Sequence, residues 1–255
     1  MLLWLAASSG SAAPISFAYR YLPGDTVVQT TRQSQTFVSD ARPDLSGGAT
    51  TEARSEAKVV DVDASGSAIL DEVSISGADS SDPESEPRRD HRRFRTTRLG
   101  EIVWVDIISG EPAALRGGAL FVDRPVRPGE TWRTRMKGAG GGPAYTIDLD
   151  VRFDSTAGEG WDRTGLFKLS GTMDGPTVTS MLGEAGVAQG LRGKGCRVSG
   201  AMVFRILAGK ETTSRLDLDC DLELLGDGGP ATPASLRISY ETTNEGPMER
   251  KIEAP

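Results

Sequence analysis

Residues 196–224 read CRVSGAMVFRILAGKETTSRLDLDCDLEL, and this stretch decides the fold class of the chain. Apolar residues recur at alternate positions in two runs that flank the Ala208-Gly209 pair, and polar or charged side chains fill the positions between them. A two-residue period is typical of a strand with one buried face and one solvated face. The stretch therefore predicts a β-hairpin that turns at Ala208-Gly209.

The only two cysteines of the chain, Cys196 and Cys220, fall on the apolar face of this hairpin. They are about equally far from the turn, so they face each other across the two strands. The Cβ atoms of such partners lie about 4.5 to 5.5 Å apart, which is close to disulfide distance. We predict a disulfide between them, which would suit an oxidising compartment; two buried free thiols are the alternative.

The same two-residue period recurs along most of the chain, with short connections. It predicts single strands at 27–37, 145–153, 166–169 and 236–240 and hairpins at 59–75 and 94–108. A content of 31 Gly and 14 Pro agrees with many short strands. We predict an all-β fold, an antiparallel meander that forms a curved sheet, an open barrel or a sandwich, with one short helix at 178–191 inside the insert 171–195.

Two polar stretches are predicted to be loops. Residues 39–51 contain a proline and a Gly-Gly pair, and residues 77–93 carry acidic residues followed by four arginines and the single histidine, His91. Clusters of turn-forming and charged residues between periodic segments are typical of solvated connections.

One turn phrase occurs twice, as Pro23-Gly24-Asp25-Thr26 and as Pro128-Gly129-Glu130-Thr131. Proline presets the second position of a tight turn, and glycine supplies the positive φ of the third. Before the first copy, Phe17, Tyr19 and Tyr21 alternate as in a half-buried strand. The repeat fits two similar halves, 14–110 and 111–255, or two ordinary turns of a β protein.

The segments 19–25 (YRYLPGD) and 124–132 (RPVRPGETW) resemble an uncharacterised family of secreted bacterial β-rich proteins. Members of that family carry an aromatic-x-aromatic-x-PGD opening and a later P-V-x-P-G-x-x-W phrase. The resemblance implies a secreted β-rich domain of unknown function. It assigns no catalytic residue.

Residues 1–13, MLLWLAASSGSAA, have a short apolar stretch and a small-residue tail. They resemble a clipped secretory signal peptide, and an ordinary chain terminus is the alternative. We therefore predict a periplasmic or secreted protein with a single β-rich domain at 14–255. No later stretch has the length of apolar residues that a membrane-spanning helix needs. A net charge of −7 argues against a nucleic-acid partner.

The segment Asp61-Val62-Asp63-Ala64-Ser65-Gly66 followed by Glu72 has the oxygen spacing of a calcium loop. The candidate ligands are Asp61, Asp63, Ser65 and Glu72. Because the flanking residues alternate as strands, whereas an EF-hand requires helices, the alternative interpretation is a polar hairpin turn.

No catalytic residue or cofactor other than calcium is predicted, because the sequence lacks the usual nucleophile, metal and phosphate-loop motifs. We expect a non-enzymatic extracytoplasmic domain that binds a partner protein or has an envelope-associated structural role. Two alternatives remain: a carrier of an apolar ligand in the concave face of a curved sheet, and a hydrolase that uses carboxylates.

Overall fold

A computed structural model describes residues 13–77, 87–110, 118–138, 145–225 and 230–245, so the predicted signal segment lies almost wholly outside the described residues. The described chain forms eleven strands and one α-helix. The strands are β1 (Thr26–Val38), β2 (Gly47–Val62), β3 (Ala68–Ser76), β4 (Arg88–Thr96), β5 (Ile102–Ser109), β6 (Thr131–Gly138), β7 (Tyr145–Ala157), β8 (Thr164–Asp174), β9 (Leu191–Arg205), β10 (Lys210–Leu224) and β11 (Thr232–Glu245). The helix α1 spans Gly175–Ala188 and is kinked at Gly183, whose φ of 67° is not helical. 3-10 turns occur at Pro43–Leu45 and Gly160–Asp162.

All eleven strands belong to one antiparallel sheet with the order β5-β4-β3-β2-β1-β11-β10-β9-β8-β7-β6. The chain forms two meanders, β1 to β5 and β6 to β11, which join where β1 pairs with β11. The sheet is open, since β5 and β6 are its outer strands. The prediction of an all-β antiparallel curved sheet is confirmed. No helix in the described residues is both long and apolar enough to cross a membrane.

Residues 13–25, which we call the strap, cross one face of the sheet, and we call this the inner face. The backbone of the strap bonds to Val126 before β6, to Arg98 in the β4–β5 turn, to Gly209 in the β9–β10 turn and to Val59 of β2. These four points belong to both meanders. The sheet therefore curls around the strap.

The strand predicted at Phe17, Tyr19 and Tyr21 is wrong, because no ladder forms there. The strap makes one isolated bridge, between Ile15 and Val126, and its other backbone bonds go to scattered turns. The side chains of the strap alternate because some pack against the curled sheet and the others face solvent.

Five phenylalanines join the strap to the second meander. The ring of Phe17 lies 4.8 Å from that of Phe167 and 4.9 Å from that of Phe153, both edge-on. Phe121 and Phe204 complete this phenylalanine cluster, and all five are buried. Edge-to-face pairs add to the free energy that burial of the rings supplies.

The helix α1 covers the rest of the inner face of the second meander. Its Val178 is fully buried against a cluster that includes Cys196, Leu218 and Cys220. The two cysteines are directly paired in the β9–β10 register and are disulfide-bonded, with Cα atoms 4.0 Å apart. The predicted disulfide is confirmed.

The predicted bounds of two loops and of the helix require correction; the helix ends at Ala188, because Leu191 already begins β9. β2 begins at Gly47 and β4 at Arg88, so parts of both predicted loops are strands. The charged β4 forms because its cations pair with carboxylates of β3, as in Arg92 with Glu72 and Arg93 with Asp71. The helix starts three residues earlier than predicted, at Gly175, since the Asp174 carboxylate accepts a hydrogen bond from the Thr177 N–H.

The two PG turns adopt the same conformation, with φ of 84° at Gly24 and 88° at Gly129. Each turn makes two backbone hydrogen bonds to one residue of a neighbouring strand, which is Val59 for the first turn and Phe153 for the second. The glycine N–H donates to the carbonyl of that residue, and the carbonyl of the residue after the glycine accepts from its N–H. Each turn therefore leads into the first strand of a meander and docks on the second. The duplication into halves 14–110 and 111–255 stays a prediction.

Candidate ligand-binding cavity

A cavity of about 220 Å³ lies on the inner face of the first meander. The strands β1 to β4 and the start of β5 form its wall, the strap crosses it, and the β9–β10 turn closes it on the side of the second meander. We call this space the strap cavity. In the second meander, α1 and the phenylalanine cluster occupy the corresponding face.

The wall of the strap cavity is apolar because the strand register lines up apolar residues on adjacent strands. Val59 of β2 pairs with Leu70 of β3, which pairs with Phe94 of β4. Val27 of β1 pairs with Ala57 of β2 one step along the same face. All five residues line the cavity.

Two of the carboxylates that line the cavity are held by cations. Asp25 is buried and its Oδ2 lies 3.5 Å from Nζ of Lys210. Glu72 is also buried and accepts hydrogen bonds at 3.0 Å from the guanidinium of Arg92, whose charge lies over the ring of Phe94. A buried carboxylate is costly without such a partner.

The third carboxylate of the cavity, Glu211, has no cation beside it among the described residues. Its Oε2 lies 3.5 Å from the hydroxyl of Tyr19, and its Oε1 is buried without a hydrogen-bond partner in the described chain. Leaving a buried polar atom unpaired costs about 1 to 3 kcal/mol. Glu211 is therefore an incompletely satisfied group in the wall of a mainly apolar cavity.

Tyr21 of the strap completes the polar side of the cavity. Burial raises the pKa of its hydroxyl to about 12, and the negative charge of Glu211 contributes to the increase, against a hydrogen bond with Thr96 that lowers it. Its ring stacks on that of Tyr19, with centroids 6.0 Å apart. Tyr21 is thus neutral at physiological pH and within electrostatic range of Glu211.

The predicted calcium ligands lie at and beside the β2–β3 turn. One oxygen of Asp63 accepts hydrogen bonds from the N–H groups of Ser65 and Ser67 and from the Ser65 hydroxyl. The Ser65 hydroxyl in particular, together with those N–H groups and the Arg95 guanidinium, lowers the pKa of Asp63 to about 2.

The structure does not bring the four calcium candidates together. Glu72 lines the strap cavity and is paired with Arg92, whereas Asp63 and Ser65 form a hydrogen-bonded hairpin turn and Asp61 lies on β2 before it. No group of three His, Cys, Asp or Glu in the described residues is placed to hold a metal ion.

Sequence reasoning did not identify Glu211, since strict alternation from Cys220 back along β10 places it on the outer face. A β-bulge between Glu211 and Thr213 changes the register, so that Glu211 pairs with the buried Phe204. Bulges re-aim side chains in this way and are frequent next to functional sites. The glycine of the preceding turn, Gly209, is the only local signal, and it does not locate the bulge.

No protein-family model matches the sequence, and no curated protein matches it. Among solved structures, the chain is similar to the crystal structure of Pseudomonas aeruginosa OpdQ, at 8% identity and a TM-score of 0.24. The match covers 89% of this chain and 100% of that chain. A TM-score of this size does not show a common fold.

Proposed function

We propose that the protein is a non-enzymatic, extracytoplasmic binding protein that holds a small, mainly apolar ligand in the strap cavity. The observation that carries the proposal is the cavity itself, an apolar space with a few polar groups on the inner face of the sheet. Ligand sites in proteins typically have this composition. An apolar cavity of about 150 Å³ takes benzene, so a volume of 220 Å³ corresponds to a ligand of about nine non-hydrogen atoms.

The charges of the cavity favour binding over hydrolysis. A carboxylate that activates water must be free to accept a proton. Asp25 and Glu72 are each paired with a cation, so Glu211 is the one carboxylate of the cavity that is not. Glycoside hydrolases use two carboxylates, and Glu211 has no second free carboxylate beside it in the cavity lining.

The extracytoplasmic location rests on three observations. The disulfide between Cys196 and Cys220 is the kind of bond that persists in oxidising compartments. The apolar N-terminal segment and the resemblance to a secreted family point to the same location.

Filling the cavity tests the proposal. In the variant Ala57→Phe, the new ring projects from the wall of the cavity, so we expect the affinity for 1-octanol to fall at least tenfold, as measured by isothermal titration calorimetry. Ala53→Phe is the matched control, because Ala53 lies on the same face of β2 outside the cavity lining and should bind octanol like the unmodified protein. Equal affinities in the two variants would contradict the proposal.

Partner binding is a second candidate, which the outer strand β5 favours. Four of its apolar side chains are exposed, with Val103 at 54% and Trp104 at 38%, and Ile107 and Ile108 similar. No strand in the described residues lies on the outer edge of β5, and such an edge is a template for an added strand.

A partner that adds a strand should slow amide hydrogen exchange across 102–109 when extracytoplasmic extract is added. Unchanged exchange with a saturating extract would count against it.

A further inference from the structure

We propose that the ligand of the strap cavity carries a protonated amine, which the carboxylate of Glu211 binds beside the rings of Tyr19 and Tyr21. The inference rests on the proposed function and assigns the chemical class of its ligand. The ligand is then a small cationic amphiphile with an apolar body of about eight carbons.

The first argument is the unsatisfied oxygen of Glu211. Oε1 is buried without a hydrogen-bond donor in the described chain, and the hydroxyl of Tyr19 reaches Oε2 only at 3.5 Å. A carboxylate accepts hydrogen bonds and donates none, so the missing partner must be a donor. Hydrogen bonds to carboxylates are strongest when the donor is itself a cation.

The second argument is the balance of charge around the cavity. Lys210 neutralises Asp25, and Arg92 neutralises Glu72. Arg20 also lines the cavity, but it is exposed to solvent at the rim, where screening weakens its field. Away from the rim, the uncompensated charge of the wall is therefore the negative charge of Glu211, which favours a positively charged ligand over a neutral or anionic one.

The third argument is the aromatic surface next to Glu211. Tyr19 and Tyr21 stack with an interplanar angle of 13°, and both line the cavity. The faces of aromatic rings attract cations such as ammonium groups. An acid flanked by two tyrosine rings in an apolar cavity thus offers both a charge partner and a ring surface to a protonated amine.

The fourth argument is the backbone that places Glu211. Without the bulge between Glu211 and Thr213, alternation would direct Glu211 to the solvated face of β10. The bulge instead places it in register with the fully buried Phe204, where an unpaired carboxylate is destabilising. A local distortion that buries one carboxylate oxygen without a donor serves ligand recognition and weakens the unliganded fold.

The test compares three probes of matched length and different head groups: octylammonium, 1-octanol and octanoate. Affinities are measured at pH 7 by isothermal titration calorimetry on the full-length protein. We expect octylammonium to bind at least tenfold more tightly than octanol, and octanoate to bind most weakly. Octanol binding that equals or exceeds octylammonium binding would overturn the inference and leave the proposed function intact.

The variant Glu211→Gln tests the residue itself. It should weaken octylammonium binding about tenfold or more, because it removes the charge and keeps the shape, and it should change octanol binding by a smaller factor. Glu56→Gln, an exposed residue of β2, is the matched control and should bind all three probes like the unmodified protein. Thermal unfolding of each variant shows that it is folded before its affinity is measured.

Two further outcomes separate the proposals. If none of the three probes binds to the unmodified protein, the proposed carrier function fails and the inference fails with it. If octylammonium binds preferentially but Glu211→Gln binds it as tightly as the unmodified protein does, the carrier function stands and the role of Glu211 is refuted.

Discussion

Replacing Phe17 with alanine is expected to lower the free energy of unfolding by about 3 to 5 kcal/mol, the largest effect of any single substitution we consider. Phe17 is 4% exposed and its ring packs against four other phenylalanines from three strands and the segment before β6. Its removal leaves a void that rigid neighbouring rings cannot close, since they are fixed by one another. Chemical denaturation followed by tryptophan fluorescence measures the change.

Leu22→Ala provides the control for this prediction, because Leu22 belongs to the same strap and is 54% exposed. Its substitution should change stability by no more than about 0.5 kcal/mol. If the two variants lose the same stability, the strap is anchored by its backbone hydrogen bonds and the phenylalanine cluster is not its main attachment. A folded Phe17→Ala variant should also bind octanol less tightly, because the strap crosses the cavity.

The second large effect is expected from the double substitution Cys196→Ala and Cys220→Ala, which should reduce the free energy of unfolding by about 3 kcal/mol. The disulfide joins residues 24 positions apart and so restricts the unfolded chain, while both cysteines are buried in the cluster under α1. The midpoint of denaturation in urea should fall and the slope should rise, because the unfolded chain without the disulfide is less compact.

Reduction of the unmodified protein with dithiothreitol should give a similar loss, and the double variant should not respond to the reductant. Non-reducing peptide mapping should show one linked peptide that contains Cys196 and Cys220. Free thiols that alkylate in protein from an oxidising compartment would contradict the prediction.

The hairpin of β9 and β10 was predictable from the sequence because its two runs alternate cleanly and its turn is short. Local geometry fixes both the turn and the pairing of Cys196 with Cys220. The same alternation gave a wrong prediction of a strand at the strap. Alternation indicates which side chains are buried, but it does not indicate which backbone groups form hydrogen bonds. It also failed at β4, where ion pairs with β3 stabilise a strand whose composition resembles a loop.

The strap cavity could not be predicted in the same way. Its wall combines residues of the strap, β1 to β4, the start of β5 and the β9–β10 turn. The pairing of β1 with β11 and the bond of the strap to Gly209 bring the last of these near the others. Glu211 depends in addition on a single bulge, which no sequence period records. The predicted curvature of the sheet was enough to suggest a carrier, but it did not identify the residues that form the binding site.

The junction of β1 with β11 also bears on how the protein is made. Val28 pairs with Glu245, so β1, the first described strand, finds one of its two neighbours only after the last described strand has been synthesised. Contacts between such distant residues slow folding, and until they form β1 exposes a free edge on which other chains can assemble. A nascent chain with this topology would depend on chaperones that shield β1 until β11 has been synthesised.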